Sequence, residues 1–156
     1  MEGIQKVREL EQLIVGDAKN SNFVLVIKKQ LQNEDISKEE RIAAMHSLRR
    51  IFVKFIEDGR LESSFASANS NQLSSSDGTG KLEEYKKWLI EQFNSYQRIL
   101  RQLITSNDVS LQLPAVKTML EVKDELRISM LALQRVEDVP VFMKTSLQSN
   151  FRDFMI

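Results

Sequence analysis

Few side chains in this sequence are placed to do chemistry. His46 is its only histidine, set between Met45 and Ser47 and one turn from Ile42 and Arg50. A histidine base needs an orienting carboxylate and a nucleophile or leaving group within reach, and no motif here places either. It reads as a boundary or surface residue. Glu39-Glu40 and Glu83-Glu84 are paired acids, but each pair opens a predicted helix, where negative charge complements the helix macrodipole. An acid–base pair would need a pocket that drives two pKa values apart, which this spacing does not suggest. The chain has no phosphate-binding glycine loop, no H-E-x-x-H and no EF-hand loop. Asp77-Gly78-Thr79-Gly80 is too short for a phosphate loop and reads as a turn. The expectation is a protein that is not an enzyme and has no catalytic, cofactor or metal site.

The basic clusters remain. They are Lys28-Lys29, Arg49-Arg50, Lys86-Lys87, and Arg98 with Arg101 one turn on. Arg49, Arg50, Lys86, Lys87, Arg98 and Arg101 are the candidate contact residues for a protein partner or RNA. Ordinary solvated helix faces account for them equally well. Tyr85, Trp88, Phe93 and Tyr96 follow at helical spacing, so they point to core or partner interface ahead of base stacking. Ser74-Ser75-Ser76-Asp77 can accept phosphate, although an unmodified surface loop explains the same composition.

Composition narrows the field further. The 156 residues carry 22 Lys and Arg against 22 Asp and Glu, with no cysteine. That balance excludes a strongly basic RNA binder, because phosphate neutralisation needs surplus cations. The missing thiols exclude disulfides, cysteine nucleophiles and cysteine-ligated metals. A lone histidine excludes a two-histidine metal cluster. The longest apolar run, Phe23 to Ile27, is five residues, against roughly 20 for a membrane span. No apolar leader follows Met1, and a reducing compartment is expected.

The elements that must position these residues read as helices throughout. Ile4, Val7, Leu10, Leu13 and Ile14 mark one face of a helix over about 2–15, with Gly16 as its stop. A second helix spans about 22–32, although its β-branched residues also suit a strand. Ser37-Lys38-Glu39-Glu40 fits a capping box opening a third helix. Its stripe of Ile42, Met45, Leu48, Ile51, Phe52, Phe55 and Ile56 runs down to Gly59. Residues 62–80 hold seven serines and two glycines and are expected to be a flexible insertion. A long amphipathic helix over about 82–105 carries Leu82, Tyr85, Trp88, Leu89, Phe93, Tyr96, Leu100 and Leu103 at helical spacing. The fifth covers about 110–134, with Leu113, Val116, Leu120, Leu126, Met130 and Leu133 as its apolar pattern. Pro114 places its start around 110–113, and the charge-rich 121–127 stretch can interrupt it. Asp138 and Pro140 open a last helix through Phe142, Leu147, Phe151 and Phe154.

Six helices without strands make an all-α fold. The broad apolar faces of the third and fourth helices favour a helical-hairpin repeat, an α-solenoid of HEAT-like kind, over a closed bundle. Residues 1–156 form a single helical-repeat region. The apolar finish at Phe154-Met155-Ile156 suggests an N-terminal fragment of a longer protein.

Glu84-Tyr85-Lys86-Lys87-Trp88 opens the long helix, which passes Tyr96 to Leu100-Arg101-Gln102-Leu103. The turn Ser106-Asn107-Asp108 and the run Leu111-Gln112-Leu113-Pro114-Ala115-Val116-Lys117-Thr118-Met119-Leu120 follow it. This order resembles the N-terminal region of nucleolar complex protein 4 homologues. Phe23 to Leu31, and Ser47-Leu48-Arg49-Arg50-Ile51-Phe52 with Gly59, look like that region's preceding helix pair. The resemblance covers about residues 20–120, and Glu121-Val122-Lys123-Asp124-Glu125 departs from it. It implies a nuclear, chiefly nucleolar, helical-repeat factor without enzymatic activity, working in the small-subunit processome and pairing with nucleolar protein 14. Family members are several times longer, and their C-terminal domain, shared with CCAAT-binding-factor relatives, has no counterpart here.

The expected function is therefore a non-catalytic scaffold in ribosome biogenesis, serving small-subunit pre-rRNA processing through protein–protein contacts, with pre-rRNA as a second candidate partner. A general helical adaptor unrelated to ribosomes and a weak RNA-binding helical domain are the alternatives. Entry into pre-ribosomal particles separates the first from the second. The salt dependence of RNA affinity identifies the third.

Overall fold

A computed structural model describes residues 2–61 and 77–134. Five α-helices run through them: α1 (Glu2–Gly16), α2 (Val24–Gln32), α3 (Lys38–Glu57), α4 (Asp77–Thr105) and α5 (Val109–Gln134). A 3-10 helix, Ala18–Phe23, joins α1 to α2. The described residues contain no strand. The expected final helix from Asp138, the phosphorylatable Ser74–Ser76 and the Phe154–Ile156 end lie outside them, as does most of the expected insertion.

Local chemistry sets each boundary. Asn20 Nδ2 donates to the Leu13 carbonyl at 3.0 Å, and the Asp17 carboxylate accepts from the Lys19 amide at 2.9 Å. The α1 stop thereby becomes a 3-10 turn, not a simple glycine break. At the start of α3, Ser37 Oγ accepts from the Glu40 amide at 3.2 Å, the forward half of the expected capping box. The Glu40 carboxyl group rests against Gly3 of α1, where an added Cβ would stand 2.6 Å from its Cδ. At the other end Gly59 takes φ 72°. Its amide donates to Ile56 O at 3.1 Å and the Arg60 amide to Phe55 O at 3.0 Å, which is the Schellman pattern.

Two boundaries differ from the sequence expectation. Helix α4 begins at Asp77, so Asp77-Gly78-Thr79-Gly80 is its first turn and not a free-standing turn. Helix α5 begins at Val109, because Asp108 caps it: Oδ1 accepts from the Ser110 amide at 3.1 Å. Pro114 therefore sits in the second turn of α5. Having no N–H, it leaves the exposed Ser110 carbonyl to water. The 121–127 stretch does not interrupt α5.

The described chain forms two compact units. The first comprises Met1–Lys54 with Gln92–Val122. Its core includes Val7, Ile14, Val24, Ile27, Leu31, Met45, Leu48, Ile51, Phe52, Tyr96, Leu100 and Leu111, all buried. Tyr96 stacks on Phe52 with ring centroids 5.3 Å apart, and its hydroxyl donates to Met45 O at 2.8 Å. Burial holds that phenol far above its usual pKa. The second unit takes its described residues from Phe55–Glu91 and Lys123–Ile156. There Phe55, Ile56, Leu61 and Leu89 are buried, and the Arg60 guanidinium lies 4.9 Å over the Phe55 ring. This contact spans C″ to C3 of the Schellman turn, so it locks the end of α3.

Candidate partner-binding surface

Helix α5 carries two apolar stripes, and the fold buries the less conspicuous one. Leu111, Ala115, Thr118 and Val122, spaced four, three and four residues apart, are all buried. Val109, Leu113, Val116 and Leu120, with the same spacing on another face, are exposed; Leu113 is 70% exposed and Leu120 54%. The expected inward pattern of Leu113, Val116 and Leu120 is therefore corrected: these side chains face solvent. Both rows have the helical period, so local sequence does not rank them, and tertiary packing buries the row that holds the small Ala115 and Thr118. The available signal was that run of small residues at helical spacing, which sequence reading passed over in favour of the larger leucines. In the second unit, Ile128 and Leu131 of α5 are also exposed.

The charged groups bordering the stripe in the first unit are largely engaged. Asp108 pairs with Lys38 at 3.0 Å, and the salt bridge and capping bonds hold its carboxyl below the ordinary range. Glu121 lies 3.0 Å from Arg49 Nε, but the N–H does not point along that line, so the contact is ionic without an aligned hydrogen bond. Lys117 is exposed and stands in no ion pair among the described residues. An apolar strip with Lys117 as its open cation among the described residues suits a protein segment better than a nucleic acid, because phosphate contacts need several cations.

The six predicted contact residues divide. Arg49 is the ionic partner of Glu121. Arg50 clamps Glu11 of α1 with Nε at 2.6 Å and a terminal nitrogen at 2.8 Å, while Ser47 Oγ donates to the same carboxylate at 2.7 Å. Burial raises the Glu11 pKa, but the bonds from Arg50 and Ser47 outweigh it, and the carboxyl sits below its usual value. The structure thus uses both arginines to tie helices together. Arg98 is exposed and Arg101 half-buried, one turn apart in the first unit. Lys86, half-buried, and Lys87, exposed, belong to the second unit. Of the aromatic run, Phe93 and Tyr96 are core and Tyr85 and Trp88 half-buried.

His46 is half-buried on α3. Its Nδ1 is buried without a hydrogen-bond partner, and burial followed by the charges of Arg49 and Arg50 lowers its pKa. Those forces favour the neutral ring, and among the described residues no carboxylate is bonded to it. Among the described residues, no cluster of three or more acidic or histidine side chains is placed to hold a metal. No described helix is long and apolar enough to cross a membrane.

A family model described as nucleolar complex protein 4-like, TPR repeats, matches residues 2–131. No curated protein and no solved structure matches the chain. The match agrees with an all-α helical-hairpin repeat and specifies the repeat as TPR.

Proposed function

The chain belongs to the nucleolar complex protein 4-like family of TPR repeats, and from that premise we propose that it is a non-catalytic scaffold of ribosome biogenesis. In this reading it works in the nucleus, chiefly the nucleolus, in small-subunit pre-rRNA processing. Its protein partner is nucleolar protein 14, and any pre-rRNA contact is secondary and electrostatic.

The observation that supports the reading is the exposed stripe of Val109, Leu113, Val116 and Leu120 on α5. An amphipathic helix from a partner can lay its apolar face along such a row. Each of these side chains is already partly covered, so completing their burial contributes about 1 kcal/mol apiece. The resulting ~4 kcal/mol only matches the lower end of the association cost, roughly 4–15 kcal/mol. The stripe therefore works as one part of a wider interface. That is the behaviour of a scaffold embedded in a large particle.

The test is co-sedimentation of the tagged chain with pre-ribosomal particles, combined with imaging of its location. The expected result is entry into small-subunit precursors and the nucleolus, with loss of particle association in a Leu113→Ser, Leu120→Ser double variant that melts like the parent. A parent chain that never enters the particles overturns the proposal.

A further inference from the structure

Away from the α5 stripe, the first unit holds a second polar arrangement. Lys28 of α2 extends its ammonium to α4, donating to Gln92 Oε1 at 2.6 Å and Ser95 Oγ at 3.2 Å. Arg98 lies one turn beyond Ser95 on α4 and is exposed. Neither cation has a carboxylate within ion-pair distance among the described residues. This sets them apart from Arg49, Arg50 and Arg60 and from Lys38, each of which has an acidic neighbour.

Lys28, Ser95 and Arg98 each keep donor capacity. An ammonium has three N–H groups, and Lys28 spends two on α4. Ser95 Oγ accepts from Lys28, which leaves its own O–H to donate. Arg98 offers the planar fork that matches an oxyanion with two acceptor oxygens. One turn before Lys28 on α2, Leu25 is 37% exposed and supplies an apolar neighbour.

We propose that Lys28, Ser95 and Arg98 form a receptor for one acidic side chain, Asp or Glu, on a protein segment whose adjacent apolar residue rests on Leu25. The inference deepens the scaffold reading and rests on it, since it names the chemistry of a partner segment. Burial and the nearby Arg98 charge both lower the Lys28 pKa, a cost that an incoming anion relieves. The number of cations selects a protein over RNA. A nucleic acid needs several phosphate contacts, whereas Lys28 and Arg98 suffice for a single carboxylate.

The experiment follows the backbone amides and the arginine Nε–H signals of the full chain by NMR, with three probes. They are a ten-residue peptide carrying a single Glu beside two leucines, the same peptide with Gln for that Glu, and a ten-nucleotide oligouridylate. The expected result is that the acidic peptide alone shifts Arg98 Nε–H and Ser95, and that Arg98→Gln weakens it about fivefold at unchanged melting temperature. Arg98 is exposed, so this variant removes a ligand contact without opening the core. Lys28→Gln should weaken the peptide likewise. Shifts confined to other residues, equal binding of the Gln peptide, tighter oligouridylate binding at Arg98, or no effect of Arg98→Gln would each overturn the proposal. The peptide titration involves no ribosomal particle. Absence from the nucleolus would sink the scaffold reading without touching this binding measurement, and a failed titration would leave particle association standing.

Discussion

Replacing Arg50 with alanine separates a structural tie from a docking residue, and the geometry sets the expected size. The Glu11 carboxylate accepts two short bonds from Arg50 and one from Ser47. The Glu11 side chain is 16% exposed and that of Arg50 45%. A fully exposed pair couples by about 0.2–1 kcal/mol, whereas breaking a buried one costs about 3–5 kcal/mol. A two-pronged pair with one end mostly buried and the other half in water lies between them, nearer the surface case. We expect a coupling of about 1–2 kcal/mol. The assay is a double-mutant cycle of Glu11→Ala, Arg50→Ala and both, by urea unfolding at pH 7. The Ser47 bond is lost in both chains lacking Glu11 and cancels from the coupling. The cycle should also be pH-dependent. Because the folded Glu11 carboxyl titrates below its unfolded value near 4.5, the tie's stability is complete above that pH. It is lost as pH falls through the folded pKa. A coupling under about 0.3 kcal/mol would refute the reasoning. So would an Arg50→Ala chain of unchanged stability that has lost its particles.

Further outcomes follow from the same structure. Thr118 Oγ1 is fully buried with no partner, so Thr118→Val should raise stability by roughly 1 kcal/mol in calorimetry; a lower melting temperature would show that the hydroxyl is satisfied. Gly59 holds φ 72° in the Schellman turn, so Gly59→Ala should destabilise by about 1 kcal/mol or more in urea titration. Tyr96→Phe should cost about 1 kcal/mol for the lost bond to Met45 O, and Tyr96→Ala about 3–5 kcal/mol for the cavity, compared by denaturant midpoint. His46 is held neutral by burial and by Arg49 and Arg50, so the unfolded chain takes its proton first as pH falls. Stability should therefore drop on acidification below about 6.5, and His46→Gln should flatten that part of the pH profile.

The helical class, the capping serine at 37, the stop at Gly59 and the α3 stripe were legible in the sequence. Each depends on residues three or four apart, and the helix itself supplies the interactions that decide them. The family order was legible for a related reason, since spacing between helices is written along the chain. Helix starts were less secure. Pro114 pointed to a later beginning of α5, but Asp108 capping and burial of Leu111 prevailed over the local cost of a proline in the second turn.

The allocation of faces was decided only in three dimensions. Helix α5 offers two apolar rows of equal period, and periodicity cannot rank them. Packing buried the row with Leu111, Ala115, Thr118 and Val122 and left Val109, Leu113, Val116 and Leu120 exposed. The arginines illustrate the same limit. Arg49, Arg50 and Arg98 look alike as charges in a sequence, yet the first two meet carboxylates brought from α5 and α1, and the third meets none among the described residues. Local interactions along the chain determine that helices form and where most of them stop. Which side chains remain available to a partner depends on residues 39 or 72 positions away, and only tertiary packing brings those together.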